Sequence, residues 1–176
     1  MLPEDERKPA ITIEPMTEDH WPDVRRIYAD GIATGDATLE REAPDWAHFD
    51  RSHRPSCRLV ACAAPRGTVL GWTALSKYSP RRVYAGVAWE SVYVDADARG
   101  RGVGRALLEA LIGASERAGF WTLFAGVLVD NKPSLALHKR VGFRRVGVQH
   151  AMGRDAGGRW RDVVLMERRS TVIGTD

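Results

Sequence analysis

Cysteine is scarce in this chain of 176 residues: Cys57 and Cys62 are its only two, and they form no Cys-x-x-Cys. If they share a strand, their odd separation puts them on opposite faces, which argues against a disulfide. Two reduced, buried thiols and a cytoplasmic setting are expected. Long apolar runs are missing too. No stretch approaches bilayer-spanning length, and the polar start MLPEDERKPA has no signal-peptide core, so neither a membrane protein nor a secreted one is expected. Repeats and low-complexity segments are absent. The positive excess is small, +3, although arginines cluster at Arg99, Arg101 and Arg105, at Arg144 and Arg145, and at Arg154, Arg159 and Arg161. Basic residues alternate with acidic ones, and neither a recognition-helix pattern nor an RNP-type aromatic strand accompanies them, which argues against nucleic acid as a partner. His20, His48, His53 and His150 show no ligand constellation, so no metal is expected. The composition, 44% hydrophobic and 28% charged, suits one globular domain. Its expected span is 11–170, between a disordered tail at 1–10 and a frayed one at 171–176.

What is present centres on Glu90 to Arg105. Ser91-Val92-Tyr93-Val94 reads as a strand, Asp95 to Ala98 as a turn, and Arg99-Gly100-Arg101-Gly102-Val103-Gly104 leads into a helix from Arg105. Such a turn presents backbone N–H groups at the positive end of a helix dipole, where a diphosphate can approach closely, and arginines add charge-assisted bonds. A Walker loop needs Lys and Ser or Thr after its last glycine; here Arg105-Ala106 follow. A dinucleotide fingerprint fails at Arg105 or at Leu107.

The remaining chain reads in order. Ile11 to Glu14 is a strand. Thr17 or Asp19 caps a helix that carries Trp21, Val24, Ile27, Tyr28 and Ile32 at helical spacing. Gly31 to Glu40 is a loop fit to line a cleft, and a short helix covers Trp46 to Arg51. Strands are expected at Arg58 to Ala64 and Thr68 to Tyr78, joined by the turn Pro65-Arg66-Gly67, and again at Tyr84 to Val94. The helix after the glycine loop buries Val103, Leu107, Ala110, Leu111 and Ala114 and stops near Gly119. Trp121 to Val129 is an interior strand. Asn131-Lys132-Pro133-Ser134 opens a helix with proline in its first turn, and strands follow at Phe143 to Met152 and Trp160 to Arg168.

Arg-x-x-Gly-x-Gly after a strand resembles the acetyl-CoA loop of the GNAT superfamily of N-acetyltransferases. Asn131 to Phe143 resembles that superfamily's second acetyl-CoA segment, Asn-x-x-Ala/Ser-x-x-Leu-Tyr/His-x-x-x-Gly-Phe. Within the superfamily the chain is similar to phosphinothricin and methionine sulfoximine acetyltransferases, through Ile27 to Ile32, Ala37 to Glu40, Ser91 to Val94, Leu137-His138 and Gly158 to Val163.

The resemblance implies the GNAT fold, an α/β (α+β) architecture. Its mixed, mostly antiparallel sheet of about seven strands is splayed at the acetyl-CoA site and flanked by about four helices. It also implies a homodimer. The implied reaction is direct attack of an amino acid's α-amine on acetyl-CoA, without an acyl-enzyme. Val92, Tyr93 and Val94 would meet the pantetheine arm and the thioester. Arg99, Gly100, Arg101, Gly102, Val103, Gly104 and Arg105 would hold the diphosphate, with Asn131 and Ser134 on the pantetheine region.

His138 occupies the superfamily's tyrosine-acid position and is expected to take the amine proton, directly or through water. The family's catalytic glutamate falls on Trp89 here, with Glu90 one place later. Either a bulged or splayed backbone near Trp89 to Val92 turns Glu90 toward the same cavity as His138, or it is an ordinary solvated or salt-bridged glutamate. Substrate candidates are Arg81 or Arg82 for the carboxylate, with Tyr84 and Thr38. Trp160 and Asp162 either shape the cleft or close the sheet. Other classes stay open: a GNAT enzyme for another amine or a protein terminus, and a non-catalytic acetyl-CoA-binding module.

Overall fold

The structure is a computed structural model and describes residues 10–64 and 67–175. Residues 1–9 of the expected tail, Pro65 and Arg66 of the expected turn, and Asp176 lie outside the described residues. The elements run β1 (Ile11–Pro15), α1 (Trp21–Ala33, entered through a 3-10 turn at Glu18–His20), α2 (Trp46–Ser52), β2 (His53–Ala63), β3 (Val69–Lys77), β4 (Val87–Val94), α3 (Val103–Arg117), β5 (Thr122–Leu128), α4 (Lys132–Arg140), β6 (Arg144–Arg154) and β7 (Trp160–Arg169). The strands form one sheet in the order β1-β2-β3-β4-β5-β7-β6. Every pairing is antiparallel except β4 with β5, which α3 joins as a crossover helix.

Strand alternation sorts the core onto two faces. On one face, Leu75, Ala88, Leu123, Ala125 and Val127 pack beneath α3, which contributes Leu108, Leu111 and Ala114. On the other, Val60, Trp72 and Ala74 pack against Trp21, Val24 and Ile27 of α1 and Phe49 of α2. Leu107, Leu108 and Leu111 are fully buried, each contributing about 1.5–3 kcal/mol by the usual transfer estimate. Cys57 and Cys62 share β2, are both free, and join opposite faces.

Several boundaries differ from the sequence expectation. Helix α1 continues through Gly31 to Ala33, so the expected loop begins at Thr34. Strand β2 starts at His53, and a register shift between His53 and Arg58 absorbs Pro55, which cannot donate to a ladder. Arg82–Tyr84 is a 3-10 turn, and the strand expected from Tyr84 begins at Val87. Ala110 is only half-buried, with Leu108 filling the core instead. At the C-terminal end, Ser170 Oγ accepts from the N–H groups of Val172 and Ile173, and Arg169 donates to the carbonyls of Ile173 and Gly174.

Candidate active site

Strands β4 and β5 pair only at Val87, Ala88 and Trp89, opposite Thr122, Leu123 and Phe124. Past Trp89 they part. β4 stays paired to β3 as far as Val94, and β5 stays paired to β7 as far as Leu128. The β5-facing amides of Glu90–Val94 therefore have no strand partner, and a splay opens where one was expected.

A cleft of about 710 Å³ occupies the splay. Val92, Tyr93 and Val94 line it, with Arg99, Gly100, Gly102, Val103, Gly104 and Arg105 of the glycine turn and Asn131 and Ser134 at the start of α4. Among the expected cofactor residues only Arg101 does not.

Gly100 and Gly102 have φ of +72° and +85°, the left-handed region that side chains rarely adopt. Gly102 is the N-cap of α3, and the first intrahelical bond runs from Ala106 N–H to its carbonyl at 3.0 Å. The N–H groups of Val103, Gly104 and Arg105 precede that bond, at the positive end of the helix. Gly104 is needed for packing as well: a Cβ there would lie 2.9 Å from Leu137 Cδ2.

Asn131 caps α4. Its Oδ1 accepts from Ser134 N–H at 3.2 Å, while its Nδ2 donates to the Asp36 carbonyl at 3.1 Å. Its amide is thus engaged at both ends within the protein, leaving one N–H and one lone pair to face a ligand.

Of the bulge and the splay that would turn Glu90 toward His138, β4 shows the splay from β5 and no bulge. β4 pairs with β3 without interruption from Val94 to Ala88. Plain alternation puts Trp89 on the α1/α2 face, against Tyr78 and Phe124, and Glu90 on the α3/α4 face. There Glu90 Oε1 lies 2.6 Å from His138 Nε2, and both side chains are almost wholly buried. His138 is fixed from its other side, since Nδ1 donates to the Ser134 carbonyl at 2.7 Å. With that proton placed on Nδ1, a contact as short as Nε2–Oε1 needs a second proton between its atoms. Burial pulls the imidazole's affinity for a proton down, but the Glu90 charge and hydrogen bond, with the Ser134 carbonyl, outweigh it and raise its pKa. Glu90 Oε2 is buried without a partner. Neither side chain is among the residues lining the cleft, but each belongs to an element whose neighbouring residues, Val92 and Ser134, do line it.

The expected substrate residues are not gathered there. Arg81, Arg82 and Tyr84 lie outside the cleft lining, in the β3–β4 connection at the other end of β4 from Val92, with the Arg81 guanidinium over the Tyr84 ring at 5.3 Å. Thr38 lies against the Tyr93 hydroxyl, whose pKa burial drives upward. Asp162 closes the sheet: it accepts from Ala151 N–H at 2.8 Å and pairs with His150, holding a β6 bulge where Ala151 has φ of +49°. Trp160 is exposed, with Arg154 stacked on its ring at 4.4 Å.

Contrary to the expectation that His20 belongs to no constellation, Glu14, His20 and Cys62 bring their ligand atoms within 4.8 Å of one another, on β1, β2 and the turn before α1. Thr17 N–H donates to His20 Nδ1, which leaves the proton on Nε2, facing Glu14 Oε1 at 3.1 Å. That tautomer makes a hydrogen bond rather than offering a lone pair to a cation.

Gly31, Thr34, Asp36 and Ala37, within the Gly31–Glu40 segment expected to line a cleft, border this one, and so does Asp130, which residue types alone do not point to. Their place depends on contacts between residues far apart in the chain.

Residues 14–143 match the acetyltransferase (GNAT) family. The chain is 38% identical over 167 residues to the phosphinothricin N-acetyltransferase of Alcaligenes faecalis, covering 90% of this chain and 82% of that one. It is 31% identical over 150 residues to the L-methionine sulfoximine/L-methionine sulfone acetyltransferase of Pseudomonas paraeruginosa, covering 83% and 87%. A Sinorhizobium meliloti phosphinothricin acetyltransferase solved with acetyl-CoA superposes with a TM-score of 0.80 at 29% identity, covering 90% and 88%. No helix among the described residues is long and apolar enough to cross a membrane. The chain belongs to the acetyltransferase (GNAT) family and is an N-acetyltransferase of the acetyl-CoA-dependent class.

Proposed function

We propose that the protein transfers the acetyl group of acetyl-CoA to the α-amine of a small amino acid of the phosphinothricin or methionine sulfoximine type. The observation that carries this reading is the single cleft joining helix N–H donors at Val103–Arg105 to the unpaired edge of β4. The glycine turn would take the diphosphate, with Arg99 and Arg105 at its flanks. Asn131 and Ser134 would face the pantetheine arm. Along Val92–Val94, the free amides would pair with that arm and with the thioester oxygen.

The neutral amine attacks the thioester carbon, and the carbonyl electrons move to oxygen, where a β4 N–H stabilises them. Collapse breaks the C–S bond and expels CoA thiolate. Overall one ammonium and one thioester give one amide, one thiol and one released proton. Glu90 and His138 act as one unit in this scheme: they accept the amine proton through water and return a proton to the thiolate. The protein is also proposed to be a homodimer, as the resemblance implies, and cytoplasmic, as its two reduced thiols suggest. Light scattering of the purified protein tests the dimer.

One observation favours a second reading of the substrate. Trp89, at the position of the family's glutamate, packs with Tyr78 and Phe124 into an aromatic surface, to which Tyr84 and Arg81 add. A larger, more apolar amine suits that surface better than a phosphinate. Thiol release from acetyl-CoA, measured over a panel of phosphinothricin, methionine sulfoximine, apolar and aromatic amino acids, their amides and polyamines, ranks the two. The first reading expects the highest kcat/KM with the glutamate analogues as free acids. Preference for apolar amino acids supports the second, and no turnover with any amine retires both.

A further inference from the structure

Arg161 is the side chain on which one wall of the cleft converges. It lies on β7, paired with Gly153, and is 8% exposed. Its guanidinium donates to four groups on three other segments. These are the Gly35 carbonyl at 3.0 Å, Asp36 Oδ1 at 3.0 Å, Asp130 Oδ2 at 3.2 Å and Asp155 Oδ2 at 3.4 Å. Gly35 and Asp36 belong to the α1–α2 connection, Asp130 to the β5–α4 connection and Asp155 to the β6–β7 turn. Asp36 and Asp130 both line the cleft. Three carboxylates thus meet one cation, and without it they would repel one another.

The same connection is held at further points. The Asp36 carbonyl accepts from Asn131, the cap of α4. Leu39 seats on Gly153, where a Cβ would lie 2.7 Å from Leu39 Cδ1. Just before the connection, Gly31 in the last turn of α1 seats on the Tyr93 ring in the same way: a Cβ there would lie 2.7 Å from Tyr93 Cδ1. Residues 34–39 therefore have no helix or strand ladder of their own and depend on side-chain anchors. Among these anchors, only Arg161 also holds the start of the α4 connection and the β6–β7 turn. A planar guanidinium spreads five N–H donors over three nitrogens, whereas an ammonium presents three from a single point.

We infer that Arg161 is a positioning residue that holds the α1–α2 connection as the wall of the cleft beside Tyr93 and Asn131, and that acetyl transfer depends on it although it touches no reacting atom. The inference rests on the acetyl-transfer reading only for its kinetic consequence. A small displacement of a wall at the reacting end costs far more rate than affinity, while the diphosphate donors at Arg99–Arg105 lie on another segment.

The test uses the whole protein with Arg161→Met, Arg161→Lys and Asp36→Asn. Arg161→Met is expected to speed amide exchange of residues 34–39 by roughly tenfold or more while α3 keeps its protection. It should lower kcat by roughly tenfold or more, with the calorimetric affinity for CoA within about threefold of wild type. Arg161→Lys should recover only part of both effects. If Arg161→Met fails to fold, Asp36→Asn, which removes one half-exposed charge, should give a smaller rise in exchange confined to the same residues. Unchanged exchange at 34–39, exchange rising equally across α3, or full recovery by lysine would overturn the inference. A wild type that turns over no amine retires the acetyl-transfer reading but leaves the exchange result to decide the anchoring.

Discussion

His138 and Glu90 stand 48 positions apart and meet through a 2.6 Å contact between Nε2 and Oε1, hidden from solvent on both sides. The contact needs no special backbone: regular pleating of β4 and the second turn of α4 suffice. Because the histidine's folded pKa lies above its ordinary value, the stability it contributes is fully present below about pH 6.5 and is lost as pH rises through the folded value. The melting temperature of wild type should exceed that of His138→Gln by more at about pH 6 than at about pH 9. A gap that is constant, or that widens with pH, would mean the ring is not held charged.

If the pair acts as a unit in proton transfer, Glu90→Gln, which keeps the size and removes the charge, should lower kcat by roughly a hundredfold. The KM for acetyl-CoA should change little. His138→Ala should cost about as much, and the double variant little more than either single one, as for groups that work together. Wild-type turnover in Glu90→Gln would make the contact purely structural.

The pair also marks where sequence reading stopped. The glycine turn, the proline-opened helix and the interior strand β5 were legible, because each is specified by neighbouring residues: left-handed glycines before an apolar stripe, a cap followed by proline, a continuous apolar run. That Glu90 reaches His138 is one of two readings the sequence leaves open, and there it calls for a bulge or splay; the other leaves the glutamate solvated or salt-bridged. A one-step shift from the family glutamate reads as facing away only if α4 is placed on the wrong side of the sheet. Arg161 was only one charge in a cluster, because its partners Gly35 and Asp36 lie 126 and 125 positions away. The start of β2 was missed because Pro55 reads as a break, whereas the sheet accommodates it in a register shift.

Gly104→Val should weaken acetyl-CoA binding by roughly tenfold or more. The new side chain meets Leu137 and Val94, both of which line the cleft, and pushes Leu137 into the ligand's space. Calorimetry on the folded variant checks this, and an unchanged affinity would remove the turn from the cofactor site. Gly102→Ala, at φ of +85°, should cost about 1–2 kcal/mol of stability through backbone strain alone, read by denaturant unfolding.

Both thiols should be inert in the folded protein. Burial, then the neighbouring Glu14 carboxylate, pushes the Cys62 thiol up to about 11, and burial likewise raises Cys57. A thiol reagent near neutral pH should label neither before denaturant is added and both afterwards. Rapid labelling of Cys62 under native conditions would contradict its burial on the face of β2 that packs against α1.

Direct acetyl transfer at the β4–β5 splay is the centre of this account, and a single-turnover experiment with isotopically labelled acetyl groups tests it most directly. Enzyme in excess is mixed with labelled acetyl-CoA, with or without methionine sulfoximine or the preferred amino acid, then quenched in acid and analysed by mass spectrometry. The predicted result is label on the α-nitrogen of the amino acid, formed with one free thiol per acetyl group. Without the amine, the protein should carry no label. Label retained covalently on the protein in the absence of amine, or thiol release with no acetylated amine, would contradict it.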